Sequence, residues 1–279
     1  MNNTRTLASL CGFAAATFAT VMPVPAAAAD ASAWSQDIKS SVRLIAGANK
    51  KDAPLRAGIE IKMQPGWHTY WRYPGDSGVP PRFSFAGSDN IKSATVHFPA
   101  PVMFVDGGGT SIGYRDAVIL PVTIVPRDPD KPVTARLKID YAVCEKLCVP
   151  AEGKAEMPIG VAPSTQDTAL SEAEARLPRK VDAADLGLTL RRVNDAAKPL
   201  VALDLKANGD APVLVFAEGP SPEWALPIPK PAQGAPAGRR HFGFELDGLP
   251  PGVSPKGAFD LTFTVVEGDR AYEATARLE

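Results

Sequence analysis

Cysteine is scarce in this chain. Its 279 residues hold three, and one of them, Cys11, lies near the start. A small scaffold stapled by disulfides needs many more, so that class is excluded. A basic excess is also missing. Thirty Lys and Arg stand against 31 Asp and Glu, a net charge of -1, which argues against a nucleic-acid binder. No heptad run or collagen-like repeat is present. Beyond the first 29 residues no apolar run is long enough to span a membrane as a helix. Proline, in contrast, is abundant. Its 28 residues are about twice the ordinary share and are spread along the chain, which breaks up long helices. With 45% hydrophobic residues, the composition fits a globular all-β protein rich in Pro/Gly turns.

Residues 1–29 read as a secretory leader. Arg5 supplies the positive start, Leu7 to Met22 the apolar stretch and Pro23-Val24-Pro25 the break. Ala27-Ala28-Ala29 offers small residues at the cleavage positions. Cleavage is expected after Ala29, and a short, small-residue stretch disfavours the alternative of an uncleaved anchor. Cys11 sits inside this leader, too early to carry a lipid. Export places the two remaining cysteines, Cys144 and Cys148, in an oxidising compartment, here the periplasm.

Along the rest of the chain the dominant period is two. Leu55, Ala57, Ile59, Ile61 and Met63 alternate with mostly polar neighbours, as do Val133, Ala135, Leu137, Ile139, Tyr141 and Val143. Further strands are expected at 42–48, 82–86, 93–98, 117–125 and 154–161. Beyond position 185 they resume at 186–193, 199–206, 212–217, 241–247, 258–266 and 271–278. Asn208-Gly209 marks a turn, and Glu267 to Arg270 closes a hairpin. The proline-rich stretch 219–238 reads as a long loop. Between the two strand-rich parts, Thr168 to Leu177 is Ala/Glu-rich and predicts a short helix, with Asp167 as N-cap and Pro178 as its end. The organisation expected is therefore a β-sandwich over 30–161, a linker over 162–185 and a second sandwich over 186–279. The run Trp67-His68-Thr69-Tyr70-Trp71 reads as a strand buried on both faces, with lining of a partner groove as the alternative. Asp106-Gly107-Gly108-Gly109 reads as a mobile loop without the Lys or spacing of a phosphate-binding loop.

Cys144-Glu145-Lys146-Leu147-Cys148 follows the clearest strand directly. On a helix, positions i and i+4 place Cβ atoms about 5–6 Å apart, too far for a regular disulfide but suited to metal ligation. Across a hairpin with a three-residue loop the two cysteines face each other at Cα separations near 4.5–5.5 Å, which accepts a disulfide. Closing so small a ring stabilises the fold by only about 2 kcal/mol on the loop-entropy estimate. A redox role, a local structural bond and a metal role all stay open on spacing alone. Lys146 would favour a thiolate and Glu145 oppose it. His68 and His97 are candidates to approach the pair, although single histidines are more often structural.

The segments Trp67 to Trp71, Pro74-Gly75-Asp76-Ser77-Gly78-Val79-Pro80-Pro81, Ile112-Gly113-Tyr114-Arg115-Asp116 and Tyr141 to Pro150 together resemble the amino-terminal periplasmic domain of the DsbD/ScsB disulfide reductases, most of all the ScsB branch. The resemblance covers roughly residues 33–160 closely and 186–279 loosely. It implies an immunoglobulin-like sandwich whose Cys144 and Cys148 cycle between dithiol and disulfide, a thiol-disulfide oxidoreductase without a cofactor. It implies thioredoxin-fold partners in the periplasm and a separate membrane protein as electron donor, with Cys148 facing the partner. Some members shield the pair with an aromatic-bearing cap loop. The matching segment here is about 103–113, and the cap and partner groove would draw on Phe104, Asp106, Tyr114, His68 and Tyr70. The ScsB branch is associated with copper tolerance, which adds a Cu(I) reading with Cys144, Cys148 and either Met103 or His97 as ligands. An adaptor with a structural disulfide is the third reading.

Overall fold

A computed structural model describes residues 29–75, 78–106, 109–194, 196–206 and 211–279, the side chain of Asp106 excepted. Residues 1–28 of the expected leader and the Asn208-Gly209 turn lie outside the described residues, as do Asp76, Ser77, Gly107 and Gly108. The first eleven strands are β1 (Ser35–Gln36), β2 (Ser40–Ala46), β3 (Leu55–Met63), β4 (His68–Gly75), β5 (Arg82–Ser84), β6 (Ile91–Val96), β7 (Val102–Asp106), β8 (Gly109–Arg115), β9 (Ala117–Pro126), β10 (Val133–Cys144) and β11 (Cys148–Ile159). Helix α1 (Asp167–Ala175) follows. Then come β12 (Arg179–Lys180), β13 (Thr189–Arg192), β14 (Leu200–Lys206), β15 (Val213–Glu218), β16 (Lys230–Ala232), β17 (Arg239–Glu245), β18 (Phe259–Glu267) and β19 (Arg270–Leu278).

The strands form four sheets. One has the order β1-β2-β3-β9-β6, and a second has β11-β10-β4-β8-β7 with β5 also paired to β10. The other two, β12-β19-β18-β15 and β13-β14-β17-β16, come from the carboxy-terminal part. The period of two explains the layers. Val42 and Leu44 of β2, Ile59 and Ile61 of β3, and Leu120 and Ile124 of β9 meet Leu137, Ile139 and Val143 of β10 in one core. Val201, Leu203, Phe242, Phe244, Leu261 and Phe263 build a second core between the last two sheets.

The two parts are packed together through β4. Phe216 of β15 is fully buried in the first core, its ring 5.6 Å from that of Trp71. Arg72 reaches the same sheet. It donates to both carboxylate oxygens of Glu218 at 2.9 and 2.8 Å and to Glu273 at 2.6 Å. These carboxylates hold the guanidinium charged, with its pKa raised above the ordinary value against the opposing penalty of burial. Tyr73 donates its hydroxyl proton to the carbonyl of Leu226.

Several local expectations are corrected. Of the expected Asp106–Gly109 loop, the two described ends, Asp106 and Gly109, pair with each other where β7 and β8 meet. The return strand of the cysteine hairpin starts at Cys148 rather than near 154. The 219–238 stretch carries β16 and sends Trp224 and Leu226 into the second core. Asp167 does not cap its helix. Gln166 is the N-cap, and the Asp167 carboxylate accepts from the Ala48 amide at 2.9 Å and from Arg56 at 2.6 Å. Arg56 also binds Glu174, so α1 is clamped at both ends. Leu170 is fully buried and reaches the positions where Gly47 and Gly58 would carry a Cβ. The helix therefore lies against the first sheet instead of hanging between the two parts.

Candidate functional site

Strands β10 and β11 pair in unbroken register from Val133↔Ile159 to Cys144↔Cys148. Only Glu145, Lys146 and Leu147 connect them, and all three are exposed. The register brings the cysteine Cα atoms to 4.1 Å, closer than the hairpin estimate, and the sulfurs form a disulfide of 2.08 Å. The two cysteines differ in access. Cys144 is 2% exposed, whereas Cys148 is on the surface.

Strand β4 supplies the floor of the site. It pairs with β10 at Cys144↔His68 and Val143↔Thr69, and with β8 at His68↔Arg115 and Tyr70↔Gly113. A Cβ on Gly113 would lie 1.9 Å from the Thr69 carbonyl, so only glycine lets β4 and β8 close here. The aromatic run splits by parity. Trp67 and Trp71 enter the first core, while Tyr70 clusters with Ala142 and Cys144. The Tyr70 hydroxyl stands 2.8 Å from Cys144 Sγ and 3.1 Å from Cys148 Sγ. It touches both sulfurs. Thr69 donates to the Ala142 carbonyl at 2.8 Å and ties the two strands beside the bond.

Phe104 of β7 leans over this floor. Its ring stacks on His68 with centroids 4.6 Å apart, and His68 meets Tyr70 edge to face at 5.6 Å. The Arg115 guanidinium covers Phe104 at 4.3 Å. Cation, phenyl, imidazole and phenol thus form a continuous chain of contacts ending at the disulfide. Arg115, in the Gly113-Tyr114-Arg115 motif, carries no sequence signal of its own that marks it as a site residue. Tyr114 goes elsewhere. It is buried in the first core and donates to the Pro99 carbonyl at 2.8 Å, and burial pushes its phenol well above the ordinary pKa.

The copper ligand set is not assembled. His97 bonds Thr123 at 2.9 Å and is influenced by Lys180 and Glu174, not by the cysteines. Met103 lies on β7, where side chains at successive positions point to opposite faces, so it faces away from Phe104. Among the described residues no group of three or more His, Cys, Asp or Glu is placed to hold a metal ion. No helix among them is long and apolar enough to cross a membrane.

The site is an antiparallel β-sandwich with one disulfide across a hairpin end, one cysteine buried and the other exposed. Residues 41–159 match the family described as thiol:disulfide interchange protein DsbD, N-terminal. The N-terminal periplasmic domain of ScsB from Proteus mirabilis superposes with a TM-score of 0.68 at 17% identity, over 90% of this chain and 98% of that one. That likeness establishes the all-β, immunoglobulin-like fold. No curated protein sequence matches the chain.

Proposed function

We propose that the protein is a periplasmic thiol-disulfide oxidoreductase that relays electrons through Cys144 and Cys148 to thioredoxin-fold partners. The observation that carries this reading is the unequal exposure of the two cysteines, whose sulfurs share one hydroxyl. A donor thiolate attacks the exposed Cys148 Sγ, the S–S bond breaks, and Cys144 leaves as a thiolate. The Tyr70 hydroxyl donates to that thiolate as it forms. The second thiol of the donor then displaces Cys148 from the mixed disulfide. The donor becomes a disulfide and the pair a dithiol, a transfer of two electrons and two protons. Passing them on reverses the sequence. Cys148 attacks the partner's disulfide and Cys144 resolves the mixed disulfide.

In this reading the leader through Ala29 is removed, a separate membrane protein is the donor, and no cofactor takes part. Residues 30–161 form the redox sandwich and 186–279 a second sandwich, joined by 162–185. The separate second core supports that division. The test uses single-cysteine variants of the mature chain. Cys144→Ser should accumulate a mixed disulfide with a thioredoxin-fold protein, Cys148→Ser should not, and neither should turn over. Turnover by both variants defeats the relay.

A further inference from the structure

We propose that the free edge of β7 is where the exchange partner docks, by adding an extended apolar segment as a further antiparallel strand. This rests on the relay reading and specifies how the partner is held. β7 ends the six-stranded sheet. Edge strands are normally blunted by Lys, Pro, a bulge or a cover, because an open edge invites pairing. Val102-Met103-Phe104-Val105-Asp106 carries no Lys or Pro, and its register with β8 is unbroken. Val102, Met103 and Val105 are 43%, 37% and 83% exposed, so nothing among the described residues covers this edge.

The register also says which backbone groups are free. Asp116 donates its N–H to the Trp67 carbonyl at 3.0 Å, so alternation along β4 and β8 leaves Tyr70↔Gly113 non-hydrogen-bonded and turns the Gly113 N–H and C=O toward β7. Val102↔Gly113 and, two residues on, Phe104↔Ser111 are then the hydrogen-bonded pairs of β7 and β8. Met103 and Val105, at the alternate positions, turn their N–H and C=O groups outward to the free edge. Phe104 is 3% exposed and pins the strand to His68, which keeps the edge in place beside the disulfide.

Position selects the occupant. β7 stands four strand spacings from β11, which carries Cys148, roughly 19 Å. A standard interface covers about 800 Å² per partner, a patch about 32 Å across. A partner that contacts Cys148 near one side of such a patch therefore reaches β7 with the other. The same partner meets Leu147, which is 74% exposed on the cysteine hairpin. A second copy paired β7 to β7 would bring no thiol to Cys148 and would leave Leu147 unexplained.

The test compares reduction of the disulfide in the mature chain by reduced thioredoxin and by dithiothreitol. Val105→Pro removes an outward N–H and spares the ladder to β8. Val105→Lys keeps that N–H but places a charge on the edge, and it carries the test should the proline variant unfold. Both should slow reduction by thioredoxin about tenfold or more while leaving reduction by dithiothreitol unchanged. Val161→Lys, at an exposed valine outside β7, should change neither rate. Wild-type rates with thioredoxin in the Val105 variants overturn the docking edge and leave the relay standing. A wild-type protein that dithiothreitol reduces and thioredoxin does not overturns the relay, and the edge with it. Sedimentation that shows a wild-type dimer broken by the Val105 variants, with unchanged rates, assigns the edge to a second copy and overturns the proposal.

Discussion

The Tyr70 hydroxyl lies 2.8 Å from Cys144 Sγ, and both groups are buried. A hydrogen bond to a charged group is worth about 1.5–3 kcal/mol, and more is lost when a buried charge has no donor. The reduced, thiolate-bearing form gains most from Tyr70, since a disulfide sulfur is a weak acceptor. Tyr70→Phe should therefore raise the Cys144 thiol pKa and lower the reduction potential by roughly 30 mV or more, because 30 mV corresponds to about 1.4 kcal/mol for two electrons. Equilibration against glutathione measures this. An unchanged potential would remove Tyr70 from the exchange step.

Reduction of the disulfide should leave the fold standing. The ring is small, and the loop-entropy estimate gives about 2 kcal/mol. β10 and β11 stay paired over eleven further residue pairs whether or not the sulfurs are joined. Urea unfolding with and without dithiothreitol checks this, and global unfolding on mild reduction would mark the bond as a structural staple.

Phe216 should matter to the stability of the redox part although it lies far outside the matched family segment. Truncating a fully buried Phe to Ala costs about 3–5 kcal/mol. Phe216→Ala should lower the denaturant midpoint and alter the fluorescence of Trp71, which its ring touches. A change confined to the second core, with Trp71 emission unaltered, would contradict the packing described.

His97 should make stability depend on pH. Burial, helped by Lys180, lowers its pKa from the ordinary 6.5. The folded protein thus binds this proton less readily than the unfolded chain. The neutral form is matched in both states above about pH 6.5, and stability is lost as pH falls through that value toward the lowered folded one. His97→Gln, able to keep a hydrogen bond to Thr123, should show a smaller loss between about pH 7.5 and pH 5 in urea titrations. An equal loss in both proteins would place the dependence on other groups.

The amino-acid sequence alone determined the strand-rich class, the alternating inner face of Val133 to Val143, and a hairpin that sets Cys144 opposite Cys148. These are local properties. Side-chain parity along a strand follows from backbone geometry, and a three-residue connection dictates its own register. The motifs at Trp67 to Pro81, Ile112 to Asp116 and Tyr141 to Pro150 point to the same family whose model matches residues 41–159.

Only the tertiary structure decided which sulfur is accessible and what surrounds it. Tyr70 reaches the cysteines because β4 inserts between β10 and β8, and sheet order is not encoded in the period of any single strand. Phe104 meets His68 because Gly113 has no side chain to hold the strands apart. β7 escaped the periodicity because Val102 to Val105 is an unbroken apolar run, and β8 because its glycines and small polar residues give no alternating signal. Asp167 sits where a cap is expected, yet its carboxylate goes to Arg56 of β3, since a charged partner packed against the helix outweighs a local capping preference. Phe216 joins the first core for a similar reason. Its strand is apolar on both faces, with Leu214 and Phe216 at the first core and Val215 and Ala217 in the second, and docking of the second part determines which of them the first core receives.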